Sequence, residues 1–380
     1  MAQDQGFPGV VGHRRVTDML TRAIERQRLH HGLVFAGPRG IGKATLARGL
    51  ACALICDVAP ARGCGTCDDC RRLLSGRHTD LRRLEGQGKT RTIATGPARE
   101  VALRAQHAPF ESRAHVIILD PADRMHGAAA AAMLKSIEEP KPGVYWALIA
   151  TNIGDVLDTI LSRCMTIPLE RLSLADTRAV VTAELARHDH ADARVEDERR
   201  ELAISLADGS PGVALELLRD PSLEPTRELL AATLRALELG AQAVFSGDRS
   251  PLWSAWKTAV VATPEPGELD EDEPEDEVVV VKAKKKPAKK KAKASASKSS
   301  NKDTPARQRA MAGRLAELWL LHLRELLLGR EGLRGMPALR EGLDLSRQMQ
   351  IIQTFQTNLA RNPNVRLNFE QLLLTLEGPT

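Results

Sequence analysis

The sequence predicts an α/β domain built on a parallel sheet, followed by two all-helical regions. Three observations lead there. Between residues 31 and 170, short apolar runs alternate with stretches of helical spacing, the pattern of strands buried on both faces by their crossover helices. A Gly-rich turn, GPRGIGK at 37–43, joins the first apolar run to the first long helical pattern. Beyond residue 173 the apolar positions fall only at i, i+3, i+4 spacing.

Taken in order, HGLVFAG (31–37) reads as a strand and IGKATLARGLACALI (41–55) as a helix. TDLRRLEG (79–86) is a strand and PAREVALRAQHAP (97–109) a helix. HVIILD (115–120) is a buried strand, AAAAAMLKSIEEP (128–140) a helix, and VYWALIAT (144–151) and MTIPL (165–169) the last strands. The segments 173–188, 198–209 and 211–220 form a short helical region. Asp176 and Ser210 lie at its helix starts and Gly209 at a stop. Helical patterns return at 226–245, 250–262, 307–329, 343–362 and 368–378. They are interrupted by 264–304, where an acidic block (265–277) and a lysine-rich block (282–293) leave little to bury and predict an unstructured insertion.

The chain has 380 residues, 43% apolar and 27% charged, with a modest net charge of +5, and its densest acidic and basic blocks both lie in this insertion. That excludes a bulk polycation and is ordinary for a globular protein. Aromatics make up 3%, so the core is expected to rest on Leu, Ala, Val and Ile. No apolar run approaches the ~18–20 residues of a membrane span, and the N-terminus lacks a signal-type apolar region, which predicts a cytoplasmic protein.

A strand, a Gly-rich turn and a helix make a phosphate-binding loop, whose inward N–H groups and helix N-terminus hold anionic oxygens. Gly37, Gly40 and Gly42 shape the turn and Lys43 reaches toward the outer phosphates. Ala44 occupies the place of the Ser or Thr that would bind magnesium. Thr45 lies ~100° further round the helix and does not replace it. Asp120 ends its strand as a candidate metal ligand, but Pro121 comes next where many ATPases carry a glutamate, and the next carboxylate is Asp123. The residues predict phosphate binding without turnover.

Six cysteines are present, and Cys56, Cys64, Cys67 and Cys70 form C-x7-C-x2-C-x2-C. The short spacings let one turn present successive thiolates to a single ion, and four thiolates suit a structural zinc with no open position. Cys52 is a rival first ligand, one helical turn before Cys56. Cys164 is expected to be a packed small residue.

These motifs, in their order and spacing, resemble the clamp-loader branch of the AAA+ proteins. The resemblance rests on VVGH (10–13), HHGLVFAGPRGIGK (30–43), the cysteine cluster, HVIILDPADRM (115–125), AAMLKSIEEP (131–140), LIATN (148–152) and LSRC (161–164). It implies a RecA-like α/β domain over 1–172 with an inserted zinc module at 56–70. A small helical lid over 173–221 and an all-α collar over 222–263 and 305–380 would come after it. It adds Val11 and Gly12 to the degenerate nucleotide site, and makes Arg163 of LSRC an arginine finger that reaches ATP on the next subunit. A lid arginine of the ATPase relatives would fall near GSPGVAL, where this chain has Gly212.

Within the family the closest likeness is to the non-hydrolysing subunit of the bacterial replicative loader. The implied cofactors are structural zinc and, without hydrolysis, ATP. The implied partners are gamma/tau-type ATPase subunits and a delta-type subunit in a hetero-pentamer, with the sliding clamp and primed DNA engaged through the complex. Such a protein would be cytoplasmic and nucleoid-associated when on DNA. Two alternatives stay open at the level of sequence: an ATPase motor subunit, and a zinc-bearing nucleic-acid module with a vestigial ATP fold. The lysine tract is expected to be solvated, folded against the acidic block, or bound weakly and sequence-blind to DNA.

Overall fold

The computed structural model describes residues 6–88, 91–125, 127–187, 197–239, 250–264, 304–329, 332–333, 336–337, 344–359 and 364–377. The charged tract 265–303 and the end of the 226–245 pattern lie outside the described residues.

The described chain divides into two units, one running to residue 188 and including 208–213, the other holding 189–207 and most of the chain beyond 214. The first is an α/β layer structure. Its strands are β1 (Gly32–Ala36), β2 (Leu81–Glu85), β3 (His115–Asp120), β4 (Val144–Ala150) and β5 (Met165–Pro168). All pair in parallel, in the order β2-β3-β4-β1-β5. Every residue of β1 and β3 is buried, which explains why both read as unbroken apolar runs.

The helices of this unit are α1 (Arg14–Glu25), α2 (Lys43–Ile55), α3 (Asp68–Leu74), α4 (Thr95–Arg104), α5 (Gly127–Glu138), α6 (Asp158–Leu161) and α7 (Leu174–Arg187). One face of the sheet packs Leu33, Phe35, Val116 and Ile118 against Leu46, Leu50 and Leu73. The other packs Ile117, Leu119, Trp146 and Leu148 against Val101, Met133 and Ile137. β1 stands between β4 and β5, so the crossover to β2 and the crossover into β5 leave in opposite directions. The carboxyl ends of the strands at that divergence are where an open α/β sheet takes ligands.

The helices over 173–219 form as the spacing predicts. Ser173 accepts the Asp176 N–H and donates its hydroxyl back to the Asp176 carboxylate, a reciprocal cap. The second unit contains α8 (Asp197–Leu206), most of α9 (Pro211–Arg219), α10 (Leu223–Leu239), and the helices Pro251–Ala262, Pro305–Leu327, Leu345–Leu359 and Val365–Glu377. Its core departs from the aliphatic expectation: three of the four tryptophans, Trp253, Trp256 and Trp319, are buried here. Trp256 lies against Phe369 with ring centroids 4.9 Å apart, and Arg366 caps the Trp253 ring at 4.2 Å.

Three helices were not anticipated from sequence, α1 and the short α3 and α6. Helix α4 also ends before the predicted boundary, because residues 110–112 are held in a loop by Asp80. Its carboxylate accepts the N–H groups of Phe110, Glu111 and Ser112 and the Ser112 hydroxyl.

Candidate functional site: a phosphate-loop domain with a thiolate cluster

The Gly-rich turn runs from β1 into α2 at the carboxyl edge of the sheet. Gly40 and Gly42 adopt positive φ, which the turn needs to bring its amides round to the helix. His13, directly after Val11 and Gly12, places its Nε2 2.9 Å from the Ile41 carbonyl, so the VVGH segment is fastened to the loop. Lys43 is buried and donates to the loop carbonyls of Gly37 and Pro38, at 2.7 and 2.6 Å. Burial pushes its pKa down, and the nearby Asp120 and Asp123 charges act in the opposite sense.

Position 212 meets the loop directly. Its N–H donates to the Gly40 carbonyl at 2.8 Å, and a Cβ at Gly40 would sit 2.8 Å from the Val213 nitrogen. No larger residue fits at 40 in this arrangement. A Cβ at Gly212 would in turn meet the Gly40 Cα at 2.9 Å.

Asp120 ends β3 at the same edge, and its carboxylate already has two cationic neighbours. Arg83 Nη2 lies 3.3 Å from one oxygen and Arg91 Nη2 3.6 Å from the other. Arg83 reaches it because β2 and β3 pair with Glu85 opposite Asp120, and residues 83 and 85 share a face of the strand. The same Arg83 nitrogen also holds Glu85 at 2.6 Å. A divalent ion at Asp120 would have to displace two guanidinium groups. Asp123 is engaged as well: one oxygen accepts the N–H groups of Thr151 and Asn152 at the end of β4. The Asn152 side chain is turned to Gly154 and Asp155. Sequence reasoning missed Arg83 and Arg91; RRLE showed two arginines in a strand, but not the register that brings one to Asp120.

Arg163 is not brought to this site. It precedes β5, and Leu33 of β1 pairs with Met165, so it lies at the amino edge of the sheet. About four strand residues, on the order of 13 Å, separate it from the loop. Its guanidinium contacts Glu138, the Thr159 carbonyl and the Ser162 hydroxyl. Beside it the half-buried Cys164 thiol is pushed up to about 11 by desolvation, as for a packed side chain.

The cysteine cluster closes after α2. The sulfurs of Cys56, Cys64, Cys67 and Cys70 all lie within 4.8 Å of one another, with Cys56–Cys67 and Cys64–Cys70 both at 3.9 Å. A tetrahedral zinc with ~2.3 Å bonds requires sulfur separations of about 3.8 Å, so the donor set has the right dimensions. The Cys67 and Thr66 N–H groups donate to the Cys64 sulfur and bring its pKa down to about 6, favouring the thiolate a metal needs. Burial pushes Cys70 up, the desolvation that a bound cation would offset. Cys52 stands outside the group: its thiol points to the Cys70 carbonyl, and burial pushes it up to about 12. Arg113 ties the module to the sheet by donating to the carbonyls of Leu54 and Cys56.

Sheet, loop and crossover helices define a phosphate-loop α/β domain that carries a cluster of four cysteines able to hold a metal ion. The family model described as "DNA polymerase III, delta subunit" matches residues 12–173. Over 175 residues the chain is 34% identical to DNA polymerase III subunit tau of Escherichia coli, covering 46% of this chain and 27% of that one. Over 160 residues it is 35% identical to DNA polymerase III subunit delta' of Bacillus subtilis, covering 42% and 47%. Over this domain the chain is similar to the tau and delta' subunits of DNA polymerase III. It spans less than half the length of these curated relatives. Among solved structures, a DNA polymerase III gamma subunit-related protein of Thermotoga maritima aligns with a TM-score of 0.43 and 15% identity, over 95% of this chain and 98% of that one. No helix among the described residues is long and apolar enough to cross a membrane.

Proposed function

We propose that this chain is a delta-prime-type stator of a DNA polymerase III clamp loader: it hydrolyses no ATP itself and supplies Arg163 to the site of a neighbouring ATPase subunit. The observation that carries this reading is the Asp120 carboxylate held by Arg83 and Arg91, where a working site would hold magnesium. Ala44 removes the other protein ligand, and Gly212 takes the lid arginine's place. Lys43 would then serve as an internal tie for the loop, with any bound ATP held without turnover. Arg163 lies at the opposite edge of the sheet from the chain's own loop, which supports a role toward another subunit.

In this reading the four thiolates hold a structural zinc. Residues 1–172 form the AAA+ domain, 173–221 the lid, and 222–263 with 305–380 the collar that assembles with gamma/tau-type and delta-type subunits in the cytoplasm. The complex would open a sliding clamp and place it on primed DNA.

The test is DNA-stimulated ATP turnover of a loader reconstituted with this chain or with Arg163→Ala, after sizing shows equal assembly. The expected result is no turnover by the isolated chain and a sharp fall at the neighbouring site in the variant. Lys43-dependent turnover by the isolated chain, or full activity with Arg163→Ala, would overturn the reading.

A further inference from the structure

Arg163 is held in a particular way. Nη1 donates to the Thr159 carbonyl at 2.9 Å and to the Ser162 hydroxyl at 3.2 Å, while Nη2 donates to Glu138 Oε1 at 3.1 Å. Nε is buried without a partner among the described residues. The Nε–H that could complete a fork with Nη2 is buried, so the guanidinium offers no accessible pair of parallel N–H groups, which is what a fork-type contact with a phosphate requires. Of its three partners, Glu138 alone carries charge and alone comes from another element.

Nothing about Glu138 is explained by stability. It is the last residue of α5, where a negative charge opposes the helix dipole. Its ion pair with Arg163 is solvent-accessible, with side chains 51% and 35% exposed, and such pairs add little to folding. Yet its position is firmly set. The preceding residue, Ile137, is buried, and its carbonyl accepts the His31 ring N–H at 2.9 Å, which fixes the end of α5 against the start of β1. On the other side, Cys164 packs over Gly32, where a Cβ would lie 2.8 Å from its sulfur and 3.4 Å from the Arg163 carbonyl. Arg163 and Glu138 are thus presented to each other by a rigid frame at the protein surface.

We propose that Glu138 is a positioning residue for Arg163. It holds the guanidinium as an internal ion pair and releases it when a terminal phosphate on a neighbouring subunit replaces the carboxylate. The exchange swaps one anion for another at Nη2 and breaks no covalent bond. It keeps the arginine from acting until the two subunits close on each other. This inference rests on the trans-acting role proposed above for Arg163.

The experiment compares loaders reconstituted with wild-type chain, Glu138→Gln, Arg163→Ala and the double variant, matched for assembly by sizing. ATP turnover is measured with and without primed DNA and clamp, and KM and kcat are read separately. Glu138→Gln is expected to raise DNA-independent turnover by up to about fivefold, the ceiling set by an exposed ion pair. It is also expected to lower KM at the neighbouring site, and both effects should vanish in the Arg163→Ala background. A fall in kcat with Glu138→Gln, no change, or a gain that persists without Arg163 would each overturn the proposal. If Arg163→Ala alone changes nothing, the trans-acting reading fails and this proposal fails with it. If Arg163→Ala is slow while Glu138→Gln behaves as wild type, only this proposal falls.

Discussion

Replacing Asp80 by asparagine should unfasten a loop thirty residues away at measurable cost. Asp80 is fully buried, and its two oxygens divide the work unequally. Oδ1 accepts the Phe110 N–H at 2.6 Å and lies 3.9 Å from Arg104 Nη2, while Oδ2 accepts the Glu111 and Ser112 N–H groups and the Ser112 hydroxyl at 2.7–2.9 Å. Burial alone would raise its pKa, but these donated hydrogen bonds bring it below the usual carboxylate value. In Asp80→Asn the amide oxygen is best placed on the three-donor side, which sets the NH2 group against the Phe110 N–H. One donor is then unsatisfied and the remaining bonds lose their charge assistance, for a cost of about 3 kcal/mol. In a unit of this size that lowers the melting temperature by roughly 6–12 °C. Thermal unfolding of the full chain, with hydrogen exchange read at the amides of 110–112, would measure both effects. The sign with pH comes from the lowered pKa: the carboxylate's contribution is present above the unfolded value of 3.8 and is lost as pH falls below it. A variant within about 0.5 kcal/mol of wild type, with unchanged exchange at those amides, would refute the reasoning.

Three further outcomes are expected. Cys64→Ser or a strong chelator should release one zinc per chain, measured by a colorimetric metal assay, and expose the 56–74 module to limited proteolysis. His115 is fully buried, and desolvation first, then Arg104, pushes its pKa down to about 4 from 6.5. Its neutral form therefore stabilises the fold above pH 6.5, and on the order of 3 kcal/mol is lost as pH falls toward 4; urea unfolding across that range should lose this slope in His115→Phe. In the helical unit, Arg314 pairs at 2.6 Å with the nearly buried Asp220, so Arg314→Ala should cost about 3 kcal/mol in thermal unfolding, and the Arg314→Ala/Asp220→Asn double variant should recover part of it.

The strands, the phosphate loop and the thiolate set were legible because each is written within a few consecutive residues. A run such as HVIILD states its burial in its composition, GPRGIGK needs no distant partner to form its turn, and the spacing CGTCDDC suffices to aim sulfurs at one point. Helix ends were less legible: α4 stops early because a buried aspartate captures the amides just beyond it, a tertiary contact that outcompetes local helical spacing. The electrostatic character of the site was not legible at all. Two of the three arginines in RRLEGQGKTR serve Asp120 without any sign of it in the sequence, because that depends on the register of β2 against β3 and on the turn after β2.

By itself, then, the sequence determined the alternation of layers, the loop, the cluster and the absence of the magnesium hydroxyl at Ala44. Only the tertiary structure decided that Asp120 is neutralised by Arg83 and Arg91, that Gly212 closes on Gly40, and that Arg163 rests against Glu138 at the far edge of the sheet. The reason is physical: hydrophobic periodicity and turn chemistry act between near neighbours, whereas ion pairs and close backbone approaches form between residues that only strand register and helix packing bring together.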